Sequence, residues 1–477
     1  MKAVLHHFEQ ISRIPRCSGQ EEKVRDFLRQ WAGNLGFAAK CDGAGNLLVT
    51  VPASPGQEAA PVIVLQCHMD MVCEKDQDSS HDFAHDPLRL CYDGEWLRAA
   101  GTTLGADNGA GLAIAMAMAE DTKLVHPPLE LLFTVDEETG LNGAASLQPG
   151  FFSGRALINL DSEDEGIFTI GCAGGRDSCL FLPVRYEKFP SSAIPYEVRV
   201  HGLQGGHSGI NIGEQRGNAN VLLARLLSGL RQRTDLCLAS LAGGSAHNAI
   251  PREAVACFTA PAAAGTLLEE FVRQWRLTLR QEYVNEPGLA VALVRGVKAP
   301  DHVYSAAATD KLLDLLAAAP DGVMAMSREV KGLVETSVNF ATIGEKDGEI
   351  CLLFSQRSSK EESLRWLTRG IESLARLAGC RIMTSQGYPG WQPDMQSDLL
   401  ARARKVFQEH FGKEAGIEII HAGLECGIIG AKYQGMDMIS IGPTIRNPHS
   451  PDERLHIPSL AKIAEFTGAL LASYCAV

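Results

Sequence analysis

Three short apolar runs end just before residues able to bind cations, and this pattern constrains the fold more than any other feature of the chain. Val62 to Leu65 precedes His68, Leu129 to Val135 precedes Glu137 and Glu138, and Ala156 to Leu160 precedes Asp161. Continuous apolar runs of this length suit strands buried on both faces of a parallel sheet. In an open α/β sheet, ligands collect beyond the carboxyl ends of the strands, so residues distant in sequence converge there. Asn46 to Val51 reads as a further buried parallel strand, and Gly109 to Glu120, rich in Ala and Met, reads as a helix starting directly after Asp107. Residues 3 to 12 and 20 to 35 carry apolar positions at helical spacing, with Ser18 placed as N-cap ahead of Gln20, Glu21 and Glu22.

A chain of 477 residues exceeds the size at which a single core stops growing, so two domains are expected. Pro190, Ser191, Ser192 and Pro195 break the pattern beyond residue 186, and Gly387, Tyr388, Pro389 and Gly390 break it again. His449 has to rejoin the earlier cation-binding residues, which returns 389–477 to the first domain. The expected architecture is an α/β catalytic domain over 1–186 and 389–477, with helices around a mixed, mainly parallel sheet. An α+β domain at 187–388 is inserted into it. Strand and helix alternation recurs from 303 to 386, which suggests two related halves within the insert.

With 44 basic against 57 acidic residues, a net charge of -13 and no dense basic run, nucleic acid and anionic membrane are disfavoured as partners. No apolar stretch approaches the roughly 20 residues of a membrane span, and the N-terminus is too polar for a secretory leader, so a cytoplasmic protein is expected. Thirteen cysteines, dispersed with no CxxC, read as reduced thiols rather than a disulfide framework.

Two imidazoles and three carboxylates, from His68, Asp107, the Glu137–Glu138 pair, Asp161 and His449, suit two divalent ions better than one structural zinc, which favours thiolates. Zinc is the first choice, with cobalt or manganese as alternatives. A carboxylate can bridge two ions, and Asp70, two residues after His68, is spaced to accept that imidazole's other N–H. Adjacent side chains point in different directions, so one of Glu137 and Glu138 can bind metal while the other takes a proton from coordinated water.

Six segments carry a family likeness: Ile-Pro-Arg-Cys-Ser-Gly from 14, Gln-Cys-His-Met-Asp-Met-Val from 66, Thr-Thr-Leu-Gly-Ala-Asp-Asn-Gly from 102, Gly-Gly-His-Ser-Gly from 205, His-Ala-Gly-Leu-Glu-Cys-Gly from 421 and Pro-His-Ser-Pro-Asp-Glu from 448. Along its whole length the chain resembles the dizinc exopeptidases, and within them the aminoacyl-histidine dipeptidases. The resemblance implies Asp107 bridging two ions, His68 and Asp161 on one, Glu138 and His449 on the other. It also implies Glu137 as general base, Asp70 orienting His68, and a cis peptide between Asp107 and Asn108. The implied reaction is hydrolysis of unblocked dipeptides, with Xaa-His compounds such as carnosine favoured. An N-acyl-amino-acid amidohydrolase, or a metal-binding scaffold without catalysis, are the alternatives.

In the insert, His207 is a candidate donor to the developing oxyanion. Asn248 and Asn339 are candidates for holding substrate main-chain groups, and Arg357 for clamping a terminal carboxylate. His421 and Glu425 are candidate contacts for a substrate ammonium or side chain. The acidic run Glu163, Asp164 and Glu165 reads as a solvated turn. The resemblance further implies a homodimer formed through the insert, which would act as a lid hinged near 186 and 388.

Overall fold

The computed structural model describes residues 2–328, 330 and 332–475. Two compact units share the chain. One comprises residues up to Cys172, Trp391–Ile419 and the chain from Leu424 onward, and the other comprises Ala173–Gly390 with Ile420–Gly423. The first crossing lies at Cys172, ahead of the Pro-rich break beyond 186, because Gly174–Pro183 is already a strand of the second unit's sheet.

The first unit is built on an eight-stranded sheet in the order Ala38–Cys41, Leu47–Val51, Leu129–Thr134, Ile63–His68, Ala156–Asn159, Asp437–Ser440, Ile167–Cys172, Gly416–Ile420. The three apolar runs that precede cation-binding residues lie side by side and parallel, with Gln66 opposite both Leu132 and Asn159. Leu47–Val51 is antiparallel to Leu129–Thr134, which corrects the expectation of a parallel strand. It flanks the parallel group toward the sheet edge, where antiparallel strands commonly join such sheets.

The helix Ala106–Glu120 is buried on every side from Asn108 to Ala119, as an apolar helix without a polar face must be. Asp107 and Asn108 have non-helical backbone angles that kink its first turn, so the regular helix runs from Gly109 onward, directly after the kink that carries Asp107. The peptide between these two residues is cis, in agreement with the resemblance. The helix Glu22–Asn34 has Glu21 at its N-cap position, and Ser18 instead donates its hydroxyl to Asp70. One pair departs from the reduced-thiol reading: Cys17 and Cys73 form a disulfide with Cα atoms 5.7 Å apart, because Cys17 bridges in parallel to Met71 beside the strand end.

The second unit carries a nine-stranded antiparallel sheet. Strand Ala193–His201, helix Ala219–Arg231, strands Cys237–Gly243 and Ala254–Pro261, helix Gly265–Glu282 and strand Ala290–Arg295 form one βαββαβ unit, in the spatial order fourth, first, third, second. Gly174–Pro183, helix Ala306–Ala318, Val334–Lys346, Glu349–Ser358, helix Glu361–Ala378 and Arg381–Thr384 repeat the same order. The halves meet where Gly243 pairs with Ile343. They share one hydrophobic core, with Val198, Leu227 and Phe258 from one half and Phe340, Phe354 and Ile371 from the other.

Candidate metal centre

Each proposed ligand of the first unit is delivered by an element end. His68 closes the strand Ile63–His68, Asp161 follows Ala156–Asn159, Glu137 and Glu138 follow Leu129–Thr134, and Asp107 stands on the kinked first turn of its helix. His449 lies in the connection between Ile445–Arg446 and Arg454–His456 with φ at 59°, a left-handed conformation that costs a non-glycine residue energy and concentrates at functional sites.

Asp107 is divided between two groups. Its Oδ1 is 3.0 Å from His68 Nε2, which is also 3.3 Å from Asp161 Oδ1. Its Oδ2 is 3.1 Å from His449 Nε2, which is 3.0 Å from Glu138 Oε2. His68, Asp107 and Asp161 form one set of converging ligand atoms, and Asp107, Glu138 and His449 form a second, each with its atoms within 4.8 Å of one another. Glu137 converges with His68 and Glu138 within the same limit. His449 is half-exposed, whereas His68, Glu138 and Asp161 are shielded.

Electrostatics show what such a centre requires. Burial, opposed by His68 and reinforced by Asp161, Glu138 and Glu425, holds the Glu137 carboxyl well above the usual carboxylate range. Burial likewise lifts Asp161 to about 7 against the pull of His68. Asp70 behaves in the opposite way. Burial would raise it, but the His68 imidazole, the Glu137 N–H and the Ser18 hydroxyl hold it down at about 2. Asp70 lies 3.3 Å from His68 Nδ1 and accepts the backbone N–H of Glu137 at 3.1 Å and of Glu138 at 3.2 Å, so one carboxylate orients an imidazole and the acidic pair together. Glu138 Oε1 is buried without a partner among the described residues. Nitrogen and oxygen donors, excess negative charge and an orphaned carboxylate oxygen fit a pair of divalent cations.

Two further carboxylates belong to this region. Glu425 is fully buried; its Oε2 accepts from Gln66 Nε2 at 2.6 Å and Thr134 Oγ1 at 2.7 Å, its Oε1 has no partner among the described residues, and burial lifts it to about 7. The acidic run Glu163, Asp164 and Glu165 is a partly solvated turn, with Asp164 about half-exposed. Burial and the negative charge of Asp107 raise Glu163 to about 8, while Asp164 pairs with Arg446 at 2.6 Å and Glu165 with Lys462 at 3.0 Å.

The second unit gathers its own polar set. His207 pairs with Ala249 in a two-residue ladder, and Asn339 Nδ2 donates to the Ala249 carbonyl at 2.8 Å. Asn248 joins them through its carbonyl, which accepts from the Ser208 N–H, while its side chain is exposed. Arg357 lies opposite Ser337 and donates to the Tyr388 hydroxyl at 2.6 Å, and Ser337 Oγ is 2.7 Å from His421 Nε2. Burial, with the positive charges of Arg357 and His207, depresses His421 to about 3. His421 is therefore neutral in basic surroundings, which suit an anionic group better than an ammonium.

Residues 64–473 match peptidase family M20/M25/M40. The chain belongs to that family. It is 41% identical over 453 residues to the cytosol non-specific dipeptidase of Escherichia coli (strain K12), covering 95% of this chain and 93% of the relative. The crystal structure of aminoacylhistidine dipeptidase from Vibrio alginolyticus superposes with a TM-score of 0.89 at 39% identity, covering 99% and 96% of the two chains. An aminopeptidase of Bacillus cereus, at 15% identity, 99% and 98% coverage and a TM-score of 0.58, shares the fold. No helix among the described residues is long and apolar enough to cross a membrane.

For this M20/M25/M40 peptidase, sequence reading missed Ser18, Gln66, Thr134, Ser337 and Tyr388. Two carried a signal. Gln66 is an amide inside an apolar strand, which calls for a buried partner, and Ser337 shares the strand-face periodicity of Asn339.

Proposed function

We propose that this chain is a dinuclear metallopeptidase that hydrolyses unblocked dipeptides, Xaa-His compounds such as β-Ala-His among the preferred substrates. The carrying observation is the Asp107 carboxylate shared between two ligand sets, each completed by one imidazole and one carboxylate, with Glu137 beside them. His68, Asp107 and Asp161 would hold one ion and Asp107, Glu138 and His449 the other, with zinc the first choice. Bound ions would polarise the scissile carbonyl and acidify the attacking water. Glu137 then takes the proton from that water and returns it to the leaving amine, a role supported by its convergence with His68 and Glu138. Asp70 keeps the His68 ring and the Glu137–Glu138 backbone in register.

Substrate roles follow the local charge. The free Oε1 of Glu425 is matched to a substrate ammonium, and Arg357 with neutral His421 to a terminal carboxylate. His207 is assigned as oxyanion donor, with Asn248 and Asn339 holding main-chain groups. Relatives named as dipeptidases at 41% and 39% identity support this reading. A homodimer built through residues 187–388 and a cytoplasmic location complete it.

Metal-stripped protein reconstituted separately with zinc, cobalt and manganese and assayed on a dipeptide panel provides the test. Cleavage of β-Ala-His but not its N-acetylated form is expected. Selective cleavage of the blocked compound would replace this reading with an N-acyl-amino-acid amidohydrolase.

A further inference from the structure

We propose that Arg16 and Glu453 are positioning residues that set the spacing of the candidate ligands through the backbone, an inference that rests on the metal centre proposed above. Both side chains are 1% exposed. Burying a guanidinium or a carboxylate is costly unless strong hydrogen bonds replace its water, so the partners of each indicate what the burial accomplishes.

Arg16 directs its two Nη groups at carbonyls of two ligand-bearing segments, while its Nε has no partner among the described residues. Nη1 donates to the carbonyls of Met69 at 3.0 Å and Asp70 at 2.8 Å, and Nη2 donates to the carbonyl of Gly105. The Met71 N–H returns a bond to the Arg16 carbonyl at 3.1 Å. Space for the guanidinium is built in: a Cβ at Gly105 or Gly109 would lie 2.5 or 2.8 Å from Nη2. Two glycines around Asp107 therefore accommodate a residue far earlier in the chain.

Glu453 completes the arrangement from the other side. One oxygen accepts the N–H of Leu104 at 2.7 Å and Gly105 at 2.8 Å, and the other accepts Ala106 at 2.8 Å and Asp107 at 3.3 Å. Four successive N–H groups converge on one carboxylate, as in backbone nests that hold anions, and the last belongs to the shared ligand itself. Glu453 also follows His449 within the same loop. The two side chains thus tie together three segments that supply His68 and Asp70, Asp107, and His449.

The test uses the full chain and two conservative variants. Glu453→Gln keeps the volume but presents one oxygen, and two N–H groups of its own, to four donors. Arg16→Lys keeps the charge and loses the planar fork. Chelator-stripped parent and variants are titrated with Co(II), followed by visible absorption and calorimetry, with near-UV circular dichroism recorded before metal is added. The expected result is an unchanged metal-free dichroism spectrum, about 10–100-fold weaker Co(II) binding and an altered cobalt band in each variant, with kcat for β-Ala-His reduced and KM near the parent's. Variants that bind two Co(II) ions as tightly as the parent would overturn the positioning role alone. A parent that binds no pair of ions would remove the metal centre and this inference with it. If one variant fails to fold, the other decides by the same readings; loss of the metal-free near-UV signal in both would assign the residues to folding and overturn the proposal.

Discussion

Asp107 presents one oxygen to His68 and the other to His449, so in the proposed centre its loss and the loss of an outer ligand have different consequences. Asp107→Ala is expected to release both ions, whereas Asp161→Ala should retain one, as measured by metal analysis after dialysis. Glu137→Gln removes the proposed proton acceptor without removing a member of either proposed ligand set. A loss in kcat of about 10²–10⁴-fold at unchanged metal content is expected. Turnover near the parent's level would exclude Glu137 as the base. Asp70 was legible as a partner of His68 from spacing alone, but its bonds to the N–H groups of Glu137 and Glu138 were not, because they depend on a loop from another strand.

Among elements, the buried helix Ala106–Glu120 shows how small residues let a ligand-bearing turn enter the core. A Cβ at Gly111 would collide with the Asn108 side chain and the Leu160 carbonyl. Gly111→Ala is therefore expected to cost about 1–3 kcal/mol, read from denaturant unfolding. In the second unit, Asp321 Oδ1 accepts both Asn218 Nδ2 and the Phe340 N–H at 2.8 Å, and burial lifts this carboxyl to about 6. A carboxyl raised on folding stabilises the native state at low pH, and that contribution is lost as pH rises through about 6. Asp321→Asn keeps the accepting oxygen and removes the charge. It should raise stability relative to the parent by about 1–2 kcal/mol at pH 8 and little at pH 4, as checked by thermal melts at both values. Helix and strand identities followed from periodicity, whereas the antiparallel setting of Leu47–Val51 did not, because an apolar run carries no direction.

For the whole molecule, an ion pair that binds only the folded chain must also stabilise it. Chelation is expected to abolish dipeptide hydrolysis and to lower stability by about 3–4 kcal/mol for each of the two ions, relative to protein held at 100–1,000 times their dissociation constants, with both effects reversed on reconstitution. An unchanged melt after stripping would contradict a centre that joins so many strand ends. By itself the sequence determined three side-by-side parallel apolar strands, the candidate ligands that follow them and the family, because apolar runs and motif spacing are local properties of the chain. Only the tertiary structure decided that Arg16 and Glu453 meet around Gly105, that Cys17 pairs with Cys73, that Glu163 is raised beside Asp107 and that His421 is neutral. Each of these depends on the dielectric and the partners supplied by segments remote in sequence, and neither quantity exists until the chain has packed.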